Sequence, residues 1–175
     1  LSIEELRVES FLKIRNTKID NLNQLSSNWK NHFFRACDLS NQDLTEYLKE
    51  DNFYIEGALC IWSYGREILS FREWDLVDQL WAYFINSLHE VIVCGDAKSE
   101  FSFPDQPLPV VLEKKKRNLI LSINNKEVLQ LSQKTFCTVF LKEGIQFLNR
   151  LTNASKSSSY GEYISMADEI INHFD

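Results

Sequence analysis

Three histidines and four cysteines are the residues of this 175-residue chain whose types best suit chemistry. Nucleophilic hydrolysis needs a nucleophile, a base and an orienting group in mutual contact. His32, His89 and His173 lie on different segments, and none falls in a known catalytic frame. Cys37, Cys60, Cys94 and Cys137 include no CxxC pair, which argues against a zinc ribbon or a thioredoxin-like redox site. Their apolar neighbours, such as Leu59, Ile61 and Phe136, predict four buried free thiols in a reducing cytosol. GxSxG, HExxH and EF-hand spacings are missing, and the five glycines form neither a P-loop nor a GxGxxG loop. The expectation is a non-enzyme without cofactor or metal. His89 falls near the end of a helical pattern, where the helix dipole favours a cation, so it reads as a capping or surface histidine.

Two sets of carboxylates could carry function. Asp75 and Asp78 stand one helical turn apart with Glu73 nearby, which predicts an exposed acidic helix face able to dock on a basic partner. Acidic residues also belong at helix N-termini for dipole reasons, so a purely structural role competes. Glu46, Glu50 and Asp51 form the second set, with a solvated helix end as the alternative. Paired carboxylates can cleave glycosides, but nothing in the sequence builds a cleft around Asp75 and Asp78. Trp62 and Tyr64 sit in a strand pattern, where an exposed aromatic would anchor an interface and a buried one would fill the core.

The elements that must position these residues follow from the hydrophobic patterning. Residues 1–52 predict a helical N-terminal region. Ser2 to Glu5 has capping-box spacing, Leu6, Phe11 and Ile14 form a partial stripe, and Leu44, Tyr47 and Leu48 share one face of a short helix over Asn41 to Asp51. Residues 53–133 predict a sheet with a central helix over 71–90. A strand over Tyr54 to Tyr64 turns near Gly65 and returns to about Leu69. The capping box Ser70 to Glu73 then opens a helix with Phe71, Trp74, Val77, Leu80, Trp81, Phe84, Ile85 and Leu88 at helical spacing. Phe101 to Phe103 is a short strand, and Pro107 and Pro109 mark an edge or loop. Val110 to Lys114, Asn118 to Ile123 and Glu127 to Leu131 form a meander, with the central strand able to bury both faces. Its turns fall at the basic run Lys114 to Arg117 and at Asn124-Asn125, a pair that tolerates positive φ. Residues 134–175 predict two helices. The first runs from Lys134 to about Leu151 with a strand over Thr135 to Leu141 as its rival, and the second follows a capping box at Ser159 to Glu162. The sum is a single α+β domain, an antiparallel meander packed against several helices.

Composition narrows the partners. The net charge of −6 and the short basic run argue against nucleic acid and permit steering toward a basic protein. No apolar run approaches the roughly 20 residues that span a bilayer, so no membrane association is expected. The first twenty residues are charged throughout and do not form a signal peptide, which points to the cytoplasm. A chain that opens on Leu1 rather than Met leaves a removed targeting segment open.

The stretch from Trp74 to Tyr83, followed by Phe103-Pro104-Asp105-Gln106-Pro107, resembles the small acidic immunity proteins of bacterial polymorphic toxin systems, including contact-dependent growth inhibition. The similarity covers Phe53 to Leu151, and such families have no catalytic residues to carry over. The resemblance implies a tight one-to-one complex with a cognate toxin domain, with the toxin's active site or substrate route blocked. Two other readings stay open: a non-catalytic regulatory or scaffold module of another cytosolic complex, and an enzyme with an unfamiliar site uniting His89 or His32 with carboxylates. Self-association is not legible from the sequence.

Overall fold

The N-terminal segment is strand rather than helix. In the computed structural model, which describes residues 5–50, 54–155 and 160–175, β1 spans Arg7–Lys13. Its side chains follow a period of two. Val8 and Leu12 join the main core, while Phe11 enters a second cluster on the opposite face. That alternation overrides the sparse helical stripe expected from Leu6, Phe11 and Ile14. Ser2 of the capping box expected at Ser2 to Glu5 lies outside the described residues, as does Ser159 of the one expected before the last helix.

After a short helix α1 (Leu25–Asn28), strand β2 (Phe33–Arg35) pairs with β1. Helix α2 (Asn41–Glu50) follows, where a short helix was expected. Strand β3 (Glu56–Ser63) and strand β4 (Arg66–Leu69) make the expected hairpin. Its tight turn places Tyr64 at φ 49° and Gly65 at φ 76°, the left-handed pair such a turn demands. The first sheet is antiparallel in the order β2-β1-β3-β4, and the two-residue strand β5 (Asp75–Leu76) pairs with the start of β3. Gly57 of β3 lies where a side chain cannot: a Cβ there would stand 2.1 Å from the Phe11 carbonyl oxygen and 2.7 Å from a Val77 methyl.

The capping box at Ser70 and Glu73 forms, with the Ser70 N–H donating to Glu73 Oε2 at 3.0 Å, but it closes a single 3-10 turn over Phe71–Glu73. The chain then extends through β5, and the central helix α3 spans Val77–His89 rather than 71–90. Leu80, Trp81, Phe84, Ile85 and Leu88 are buried as expected, but so are Asp78, Ala82 and Ser87. Tyr160, from far along the chain, covers Asp78, which was expected to face solvent, and Ser87 Oγ lies 2.8 Å from Ser99 Oγ in the next sheet.

That second sheet contains the expected three-stranded meander as β7 (Pro109–Lys115), β8 (Asn118–Ile123) and β9 (Lys126–Ser132), preceded in chain order by β6 (Lys98–Ser102), which starts three residues before the short strand expected over Phe101 to Phe103. Asn124 and Asn125 turn at φ 51° and 61° between β8 and β9. Leu119, Ile120 and Leu121 are buried in succession, so β8 packs on both faces. The chain closes with α4 (Gln133–Ser155) and α5 (Gly161–Asn172), and the rival strand over Thr135 to Leu141 is helix. The fold is α+β, with two antiparallel sheets around shared helices instead of one. The main core joins β1, β3, α2, α3, both C-terminal helices and the second sheet. A smaller cluster on the far face of the first sheet stacks Phe11, Phe33 and Phe71 with Trp29.

Candidate functional site

An open groove of about 570 Å³ runs between the end of β1, strand β2 and helix α2. It begins where β1 ends. Ile14 donates its N–H to the His32 carbonyl at 2.7 Å, and Asn16 adopts φ 61°, a left-handed geometry that asparagine tolerates. The turn aims Arg15 at the C-terminal end of α2. Its Nε and Nη2 donate to the Tyr47 carbonyl at 3.2 and 2.9 Å, and its guanidinium lies 4.4 Å from the Tyr47 ring centre. A helix leaves its last four carbonyls without intrahelical partners, and Arg15 satisfies this one. The Tyr47 hydroxyl donates to the Lys13 carbonyl at 2.9 Å, so β1 and α2 are tied at two points.

Phe34 forms an apolar wall with Leu39. Strand β2 turns Phe33 into the aromatic cluster and so turns Phe34 outward, where it is 41% exposed. Asp43 and Glu46 line the other side. Asp43 belongs to a capping box: its N–H donates to Ser40 Oγ at 3.1 Å, and its Oδ2 accepts from the Ser40 N–H at 3.2 Å. The Ser40 hydroxyl holds the Asp43 carboxyl below its ordinary pKa. Glu46 pairs with Lys49 at 2.7 Å. The result is an aromatic centre beside an acidic margin, with the one lining guanidinium engaged by a helix end.

Of the residues expected at an interface, Glu46 lines this groove. Glu50 ends the same helix, but its side chain, like all of Asp51, lies outside the described residues. Asp75 and Asp78 are corrected: they present no exposed acidic face, being only 3% and 7% exposed. Asp75 Oδ1 accepts from the N–H groups of Leu76 and Asp105 at 2.6 and 3.0 Å, and Oδ2 from Gln106 at 3.2 Å. It therefore organises the loop between β6 and β7 and joins the Trp74 segment to the Asp105-Gln106 segment. Asp78 Oδ2 accepts from the Tyr160 hydroxyl at 2.8 Å, while its buried Oδ1 has no hydrogen-bond partner among the described residues. Burial raises the pKa of both aspartates, against the opposing pull of these bonds.

Trp62 is half-buried, with the Arg7 guanidinium 4.1 Å from its ring centre. Tyr64 is 62% exposed at its hairpin tip. It lines a separate groove of about 510 Å³ between β4 and β9, which Arg66 spans by donating to the Val128 carbonyl.

The cysteines divide. Cys60 and Cys137 are buried as expected, and burial raises the Cys137 thiol to about 12. Cys37 and Cys94 are exposed, against expectation: Cys37 lies within the 3-10 turn Ala36–Asp38, and Cys94 ends the helical turn Glu90–Cys94. Among the described residues, no group of three or more His, Cys, Asp or Glu side chains is arranged to hold a metal ion, and no helix is long and apolar enough to cross a membrane.

Sequence alone does not single out Phe34, Arg15 or Asp43 as site residues. The Ser40-x-x-Asp43 spacing and the adjacent Phe33-Phe34 pair are the local signs that point to them. Comparison with protein-family models, curated proteins and solved structures finds no match for this chain.

Proposed function

We propose that this chain is an immunity protein that acts in the bacterial cytoplasm, binding a cognate toxin domain and neutralising it by covering its active site or substrate path. The observation that carries the reading is the groove beside α2. An exposed Phe34, supported by Leu39, offers an apolar anchor, and Asp43 and Glu46 offer negative charge at its margin. Aromatic anchors inside a polar rim are the usual energetic centre of a protein interface. A basic nuclease fits this surface best, because carboxylates can occupy the sites where its phosphates would bind. The net charge of −6 speeds encounter with such a partner and selects for it.

Asp75 and Asp78 belong to the scaffold in this account. Glu46, with Asp43, carries the acidic contact, and Tyr64 is a second candidate anchor on its own groove. The test is coexpression of the full chain with the product of the neighbouring gene. A one-to-one complex that protects cells from that product supports the reading. A neighbouring product that is harmless and does not copurify overturns it, and favours a scaffold role in another assembly.

A further inference from the structure

Helix α3 does not stop cleanly at His89 but continues through a π-helical turn over Glu90–Cys94, closed by Gly95 at φ 88°. In such a turn the hydrogen bonds run to the fifth residue, which brings side chains five apart onto one face. His89 and Cys94 are five apart, and His89 Nδ1 lies 3.6 Å from Cys94 Sγ. On the other side of the ring, His89 Nε2 lies 3.0 Å from Glu169 Oε2 on α5. An ionised carboxylate can only accept, so Nε2 carries the ring proton and Nδ1 turns its lone pair to the thiol. Other charges here are Lys114 of β7, which donates to the Val91 carbonyl at 2.9 Å, and Glu90, whose carboxylate accepts from Ser99.

We propose that Cys94 is a reactive thiol that undergoes thiol–disulfide exchange with small-molecule disulfides, with His89 as its base and Glu169 as a positioning residue. His89 Nδ1 takes the thiol proton, and Cys94 Sγ attacks one sulfur of the disulfide. The S–S bond breaks as the new Sγ–S bond forms, and the departing thiolate takes the proton from the imidazolium. One disulfide and one thiol are consumed and one of each is formed. Cys37 is the internal contrast: it is also exposed, but its sulfur lies 3.6 Å from Asp38 Oδ1, and burial together with that carboxylate raises its pKa. The proposal is independent of any protein partner.

The full chain is treated with bis(2-hydroxyethyl) disulfide, and mixed-disulfide formation at each cysteine is followed by peptide mass spectrometry. Cys94 is expected to react on the order of 10-fold faster than Cys37 near neutral pH. His89→Gln brings Cys94 down to the range of Cys37. Glu169→Gln, on the exposed side of α5, moves the midpoint of the Cys94 pH–rate profile upward. An unchanged Cys37 rate in both variants certifies the fold. Equal rates at the two cysteines in the parent protein, or a Cys94 rate and profile untouched by both substitutions, would overturn the proposal.

Discussion

The indole of Trp81 lies directly against the backbone of Gly144, so close that a Cβ on Gly144 would stand 2.8 Å from two indole carbons. The central helix and the long C-terminal helix thus meet where α4 has no side chain. Trp81 uses that approach to reach the first sheet as well, donating from Nε1 to the buried Ser10 hydroxyl at 3.1 Å.

Gly144→Ala tests this contact. Inside a helix the change should stabilise by about 1 kcal/mol on propensity alone. Here the added methyl strikes a fully buried ring, and overpacking of this kind costs about 1–3 kcal/mol. A lowered urea midpoint with an unchanged slope is expected, and a raised midpoint would show that Trp81 yields freely.

Asp78 should make stability depend on pH. Burial raises its folded pKa above the ordinary value of 3.8. Below that value the carboxyl is protonated in both states and costs nothing. As pH rises, the unfolded chain ionises first, so the folded state loses stability up to the raised pKa. Asp78→Asn removes the titration and keeps an acceptor for Tyr160. Its stability relative to the parent should therefore be greater at about pH 7 than at about pH 4. An offset that stays constant between the two would contradict the assignment.

Asp75→Ala should cost about 1–3 kcal/mol, because it leaves the buried Leu76 N–H and the half-buried N–H groups of Asp105 and Gln106 without their acceptor. Amide exchange at Asp105 and Gln106 should accelerate selectively, since both donate to Asp75. Affinity for a protein partner should hold once the variant is folded, because the carboxylate lies inside the fold.

Much of the second sheet was legible because its signals are local. Asn124-Asn125 needs only its own backbone preferences to turn, whereas Pro109, expected to mark an edge or loop, is the first residue of β7, which lies between β6 and β8. The capping box at Ser70 was legible too, but not its extent, because β5 must first pair with Glu56 and Gly57 before α3 can start. Strand β1 was obscured because its stabilisation comes from β3, some fifty residues onward, rather than from its own sparse stripe. The burial of Asp75 and Asp78 was hidden for the same reason. Their partners, Asp105, Gln106 and Tyr160, come from segments that helical periodicity does not connect. Glu46 could be suspected from its charge, whereas Phe34 gained meaning only when β2 turned Phe33 inward.

The central claim is that this chain captures a basic toxin domain through the groove beside α2. Its most direct measurement is the association and dissociation kinetics of the full chain with the product of the neighbouring gene, at low and high salt, for the parent, Glu46→Lys and Phe34→Ala. The account predicts a parent complex that forms fast in low salt, slower association for Glu46→Lys under that condition, and faster dissociation for Phe34→Ala worth at least about 1 kcal/mol. A tight complex whose rates ignore both substitutions would move the interface elsewhere, and no complex at all would contradict the function itself.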